Sequence, residues 1–241
     1  VNGSTGGILA AIAAVCSPGD GIIACRNAHK SFFNACIHVG VQPVYVQPEI
    51  IEPFGIAGGV SLQQVKAVLR DNPEVKGMYL TSPTFEGVVT DISEIAKLLH
   101  EHNKVLLVDE AHGAHFCCIP GFPKTALSMG ADIVVQSLHK TLPSPTQTAI
   151  VHIQGSRISQ ERMRLALNAF QSTSPSYMFM AAMDYCRAFL EEQPKEFFES
   201  YRDMLLEYRK KLQQVSSFLL LDKQEGLWDL DPAKIVLHSR E

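Results

Sequence analysis

The run Val135-Gln136-Ser137-Leu138-His139-Lys140-Thr141 decides the fold. Just upstream, Ala131-Asp132-Ile133-Val134-Val135 is a short apolar stretch that reads as a buried strand, so the polar residues lie where that strand emerges from a sheet. Val105-Leu106-Leu107-Val108 ends in the same way, at Asp109-Glu110-Ala111-His112. A third signal opens the chain: Asn2-Gly3-Ser4-Thr5-Gly6-Gly7 is a small polar turn entering an apolar helix from Ile8 to Val15. In an open parallel α/β sheet, ligands bind at the carboxyl ends of the strands.

Working outward, strands and helices alternate, which predicts an α/β fold with a mostly parallel central sheet flanked by helices. Six strands are expected: Gly21 to Cys25, Pro43 to Val46, Val75 to Leu80, Val105 to Val108, Ala131 to Val135 and Thr148 to Ile153. Val1-Asn2 reads as the end of a seventh. Helices are expected from Thr5 to Cys16, His29 to Val39, Ser61 to Arg70, Ile92 to His102 and, briefly, Thr125 to Met129. Ser61 is placed as an N-cap, with Gln64 completing a capping box. The segment Gln47 to Gly59, rich in Pro and Gly, reads as a loop. Beyond Gly155 the pattern changes to helices, with Phe197, Tyr201, Leu205, Tyr208 and Leu212 repeating at the spacing of one apolar helix face, and the last residues, around Lys234-Ile235-Val236-Leu237-His238, read as the start of another strand.

Three regions follow: residues 1–190 as a large domain cut short at its N-terminus, 191–226 as a connector helix region, and 227–241 as the start of a truncated C-terminal domain. The chain begins with Val1 and is expected to be part of a longer protein.

Composition bounds the partners. The 241 residues are 46% hydrophobic and 19% charged, with a net charge of −4 and a pI near 6.1. These values suit a globular domain and give no reason to expect nucleic acid or membrane. The six cysteines show no spaced framework and read as reduced thiols in a cytoplasmic protein.

Several residue types carry chemistry. Ser4 and Thr5 lie at a helix start, where free N–H groups and the helix dipole attract an anion, although taken alone an ordinary N-cap is the commoner reason for such residues there. The Asp-Glu-Ala-His letters suggest a helicase, but the chain has no G-x-x-x-x-G-K-[ST] to hold a triphosphate. The alternatives for Asp109 are an acid that pairs with a cofactor's protonated ring nitrogen, or a strand-end cap. His112, His115, Cys117 and Cys118 match no common zinc spacing, so no metal is expected, and the two cysteines read as packing residues. Most lysines fall among polar helix neighbours. Lys30 competes with Lys140, yet only Lys140 follows a serine three residues back and precedes the small polar run Ser144 to Thr148. An amine, a carboxylate and a phosphate-sized nest together are what pyridoxal 5'-phosphate (PLP) needs.

The chain resembles the bacterial PLP-dependent decarboxylases of ornithine, lysine or arginine, which have the aspartate aminotransferase-like (type I) fold. The motifs are Asn2-Gly3-Ser4-Thr5, Asn27-Ala28-His29-Lys30-Ser31, Thr81-Ser82-Pro83-Thr84, Asp109-Glu110-Ala111-His112-Gly113-Ala114-His115 and Ser137-Leu138-His139-Lys140-Thr141-Leu142-Pro143. The resemblance implies that Lys140 forms the Schiff base with PLP, Asp109 pairs with the ring nitrogen and His29 stacks on the ring. Ala111 would pack on the opposite face, and His112 would lie near the ring hydroxyl and the substrate. Ser4, Thr5, Ser137 and His139 would hold the phosphate.

Pro145 departs from the family pattern where a lost N–H could shift the loop after the lysine. The implied reaction removes carbon dioxide from a basic amino acid and yields an amine of the polyamine-forming kind. A homodimer or higher homo-oligomer is implied, with the site at the dimer interface, so the isolated chain is expected to turn over poorly. Two rivals stand beside it: another type I activity, such as an aminotransferase or aldolase, and an inactive truncated paralogue serving as an assembly subunit.

Overall fold

The computed structural model describes residues 1–223 and 229–240. In chain order, α1 (Gly3–Val15) precedes β1 (Gly21–Cys25), α2 (Lys30–Val39) and β2 (Gln42–Val46). A small hairpin, β3 (Ile50–Ile51) with β4 (Ile56–Ala57), leads to α3 (Leu62–Asp71) and β5 (Gly77–Thr81). Next come β6 (Val88–Val89), α4 (Ile92–Glu101), β7 (Val105–Asp109), a 3-10 turn at Ala114–Cys117, β8 (Ile133–Ser137), the one-turn α5 (Leu138–Thr141) and β9 (Ala149–Ile153). Helices α6 (Gln160–Phe170), α7 (Tyr177–Glu192) and α8 (Lys195–Gln213) follow, then β10 (Phe218–Leu220), β11 (Asp229–Leu230) and β12 (Leu237–Ser239).

The six predicted strands form one sheet in the order β2-β1-β5-β7-β8-β9. All neighbours are parallel except β9, which runs antiparallel to β8. Alternation along the strands splits the apolar residues between two faces. Tyr79, Leu107, Ile133 and Val135 join Ile8, Ile12, Phe32 and Met163 under α1, α2 and α6. Met78, Leu80, Leu106, Val108 and Val134 join Val65, Leu69, Ile95 and Leu99 under α3 and α4. Every residue of β7 and β8 is buried, as expected for central strands covered on both faces. Gly7 lets α1 close on the sheet, since a Cβ there would stand 2.7 Å from Val151 Cγ2 and 3.0 Å from Val135 Cγ1.

Several expectations change. The helix starts at Gly3, so Ser4 and Thr5 lie inside its first turn rather than before it. Thr125 to Met129 is a run of turns, ended by Gly130 at φ +99°. Val1-Asn2 contributes an isolated bridge, Asn2 to Thr148, not a strand. Part of the supposed loop from Gln47 to Gly59 is the β3–β4 hairpin. The periodic face of α8 is largely open: Phe197, Tyr201 and Tyr208 are exposed, while Leu205 packs partly against Phe116, Ile119 and Phe122. Cys117 is exposed rather than packed.

Ser61 does form the expected capping box with Gln64. Leu227, Trp228 and Glu241, expected in a C-terminal domain, lie outside the described residues. Residues 229–240 pair back on the chain, β11 with β6 and β12 with β10. Among the described residues no helix is long and apolar enough to cross a membrane.

Candidate active site

A cavity of about 250 Å³ opens at the carboxyl ends of the parallel strands. Ser4, His29, Asp109, Ala111, His112 and Lys140 line it, together with Asn27, Ala57, Thr81, Thr84, Phe85 and Glu86. Strand ends supply the chemistry because each strand delivers its last side chain to the same edge. Asp109 closes β7, and Lys140 sits in the single helical turn that follows β8. His29 is the N-cap of α2, where its Nδ1 accepts from the Ser31 N–H at 3.2 Å and lies 2.8 Å from Ser31 Oγ. That cap fixes the imidazole plane.

Asp109 and Glu110 are adjacent in sequence but face opposite sides. Asp109 Oδ2 accepts from the Tyr79 hydroxyl at 2.7 Å and Oδ1 from the Ala111 N–H at 3.1 Å. Burial raises its pKa, against the pull of these donors and of Lys140 and His29. A cation placed at the carboxylate would offset that burial cost. Glu110 turns the other way and accepts from Ala126 N–H at 2.7 Å and Gln136 Nε2 at 2.6 Å. Burial pushes it up to about 7.

Lys140 Nζ lies 3.1 Å from His112 Nε2. Partial burial lowers the lysine pKa; nearby Lys234 acts in the same direction and Asp109 opposes it. Burial, then the charges of Lys140, Lys234 and His29, bring His112 down to about 4. The imidazole is therefore neutral near pH 7, able to accept a hydrogen bond from the amine. Phe85 meets the His112 ring edge-on, with centroids 5.4 Å apart.

The anion end of the cavity is less complete. No side chain caps α1, so its first-turn N–H groups are not taken by Asn2, and Ser4 faces the cavity. Ser137 Oγ is fully buried and has no hydrogen-bond partner among the described residues. Thr5 is exposed and outside the lining. His139 turns away, its Nδ1 3.0 Å from the Thr148 carbonyl. Lys30, the rival lysine, is exposed on α2 and outside the cavity.

The Pro145 carbonyl accepts the Thr148 N–H at 3.2 Å and Oγ1–H at 2.7 Å, which ties the loop after the lysine to the residue before β9. Of the four side chains with metal-ligand letters, His115 is buried against Asp231 at 3.2 Å, whereas His112 faces the cavity. Among the described residues no group of three or more such side chains converges.

Sequence patterns did not reveal Tyr79, Ala57, Phe85 or Lys234 as neighbours of this site. Tyr79 could have been found by pairing β5 with β7, since the register sets Tyr79 two residues before the Thr81–Asp109 pair, on the same face. Phe85 directly follows the Thr81–Thr84 motif and could have been found from it, whereas Ala57 comes from strand β4 of the hairpin and Lys234 from a distant segment, without a local signal.

Residues 1–235 match a family described as Orn/Lys/Arg decarboxylase, major domain. The chain is 41% identical to the uncharacterized protein YaaO of Bacillus subtilis, over 100% of this chain and 50% of that protein. It is 33% identical to an arginine decarboxylase of the same organism, over 98% of this chain and 49% of the relative. It thus spans about half the length of these curated relatives. Lysine decarboxylase A from Pseudomonas aeruginosa superposes with a TM-score of 0.81 at 23% identity, covering 99% of this chain and 40% of that one. A pyridoxamine-pyruvate aminotransferase from Mesorhizobium loti gives 0.70 at 15% identity, over 96% of this chain and 61% of that one. Both likenesses show the type I PLP fold.

Proposed function

The chain belongs to the Orn/Lys/Arg decarboxylase family, and on that premise we propose that it is the cofactor-binding part of an enzyme that decarboxylates a basic amino acid with PLP. The supporting observation is the convergence of Lys140, Asp109, His29, His112 and Ser4 on one cavity. The residues present fit PLP. Among the described residues the buried Asp109 carboxylate forms no ion pair, the buried Ser137 hydroxyl lacks a hydrogen-bond partner, and the start of α1 has no side-chain cap.

Each residue has a task. Asp109, oriented by Tyr79 and the Ala111 N–H, would hold a positive charge on the ring nitrogen. His29, held by its cap, would lie against one ring face and Ala111 against the other. Ser4, Ser137 and the first turn of α1 would take the phosphate, with Thr5 and His139 placed to join only after they reorient. Bound PLP supplies an electron sink for the bond between Cα and the carboxylate. Lys140, its ammonium pKa lowered by burial, is the nucleophile toward the aldehyde. His112 Nε2 shares a proton with Lys140 Nζ along their 3.1 Å contact, which provides a store for returning a proton to the substrate.

Arginine is the first substrate to test, because a relative named for arginine decarboxylation covers 98% of this chain. The chain alone is proposed to turn over slowly and to act as a homodimer or larger homo-oligomer, supported by the exposed apolar residues of α7 and α8. Residues 1–190, 191–226 and 227–241 are proposed as large domain, connector and the start of a further domain. A cytoplasmic setting agrees with six free thiols.

Borohydride reduction of the chain with PLP, followed by peptide mapping, tests the reading. Label on Lys140 is expected; label on Lys30 would overturn the assignment. Product analysis then separates carbon dioxide plus agmatine, cadaverine or putrescine from a keto acid, which would indicate an aminotransferase.

A further inference from the structure

Beside the cavity, against the lining residue Phe85, stands a cation that the reaction described above does not use. Lys234 follows β11, far from the motifs in sequence, yet its Nζ stands 5.4 Å from the centre of the Phe85 ring. Its stem occupies the space beside Gly87, where a Cβ would come within 2.7 Å of Lys234 Cγ and 2.9 Å of Cβ. Gly87 (φ +97°) thus makes room for this side chain.

The backbone around Lys234 is pinned on three sides. The Asp231 N–H donates to the Gly87 carbonyl at 2.8 Å. The Asp231 carboxylate meets buried His115 at 3.2 Å. Buried Arg209 donates to the Lys234 carbonyl at 2.9 Å and to the Pro232 carbonyl at 3.4 Å.

Among the described residues the Lys234 ammonium meets the Phe85 ring and pairs with no carboxylate. Its charge lowers both His112 and Lys140, against the opposing pull of Asp231 on the first and of Asp109 on the second. An ammonium without a carboxylate partner, on a pinned backbone, is free to make one charge-assisted contact with an incoming anion. The PLP phosphate is assigned to Ser4, Ser137 and α1. The remaining anion that an amino acid brings is its α-carboxylate.

We propose that Lys234 is a carboxylate-binding residue beside the cavity, which captures and orients the α-carboxylate of the incoming amino acid. The inference rests on the PLP-dependent reading of this cavity. Lys234 makes or breaks no covalent bond, so its effect falls on affinity for the carboxylated ligand.

Two stable probes differ only in that carboxylate: N-phosphopyridoxyl-L-arginine and N-phosphopyridoxyl-agmatine. Calorimetric binding of each is compared in the wild-type chain, Lys234→Met and Lys234→Arg. Methionine keeps a stem against Gly87 while deleting the charge. Loss of one charge-assisted contact is expected to weaken the arginine probe about tenfold or more in Lys234→Met. The agmatine probe should stay within about twofold, and Lys234→Arg should recover most of the loss. Equal weakening of both probes, or no change in either, would overturn the role of Lys234. If neither probe binds the wild-type chain, the PLP reading falls and this inference falls with it.

Discussion

Strands β7 and β8 bury all ten of their residues, whereas in α7 and α8 the buried residues are Cys186 and Arg209 alone. Met178 is 82% exposed, Tyr177 77% and Tyr185 73%, while Leu106 and Val134 are at 0%. Apolar content is present in both regions, but among the described residues only one has its covering layer. The sheet supports a precise cavity because helices on both faces fix its strands. Helices α7 and α8 offer a large apolar surface of the kind that marks an interaction site. Hydrophobic periodicity therefore reports which face can be buried, and not whether a partner is at hand.

Four changes would break or sharpen that contrast. The largest effect is expected at the strand end. Lys140→Ala should abolish borohydride-stable labelling by PLP, and a variant that still incorporates label at wild-type stoichiometry would remove Lys140 from its role.

Next is the packing that supports it. Gly7→Ala forces a methyl toward Val151 and Val135 and should cost about 1–3 kcal/mol in urea denaturation. An unchanged midpoint would show that α1 is free to shift, and that the rigid half is less rigid than drawn.

Third is Glu110, whose folded pKa of about 7 lies above its ordinary value of 4.5. The raised value means that the folded state holds the proton more tightly. The stabilisation is full below about 4.5 and is lost as pH rises through about 7. Thermal melting of Glu110→Gln should accordingly lose stability less steeply than wild type between those limits. Parallel pH curves for the two proteins would contradict the burial account.

The smallest effect belongs to the exposed helix. Met178→Ser and Tyr185→Ser should each stay within about 0.5 kcal/mol for the chain alone. A loss of several times that amount would mean the apolar face is already covered, by a second copy, and analytical ultracentrifugation of the same samples would show it.

Much of this was legible before any coordinates. The six strands could be read because short apolar runs bounded by Gly, Pro and Asp leave few other options. Lys140 and Asp109 could be placed because each follows such a run directly. His29 was recognisable as a helix-start residue, and its cap to Ser31 is local. The errors were also physical. Thr125 to Met129 has helix-like content, but too few residues precede Gly130 to repay the cost of starting a helix. Nor could the sequence show that His139, beside Lys140, sets its Nδ1 3.0 Å from the Thr148 carbonyl.

The sequence by itself determined the α/β order, the strand-end positions of the amine and the carboxylate, and the helix that could face an anion. These are local consequences of periodicity and of what a chain must do where a strand stops. Only the tertiary structure decided that Tyr79 would orient Asp109, that Glu110 would face the opposite layer, and that Lys234 would stand beside the same cavity. Strand register sets the first two, and the return of residues 229–240 onto β6 sets the third. Such pairings depend on contacts between segments distant in sequence, and no local pattern encodes them.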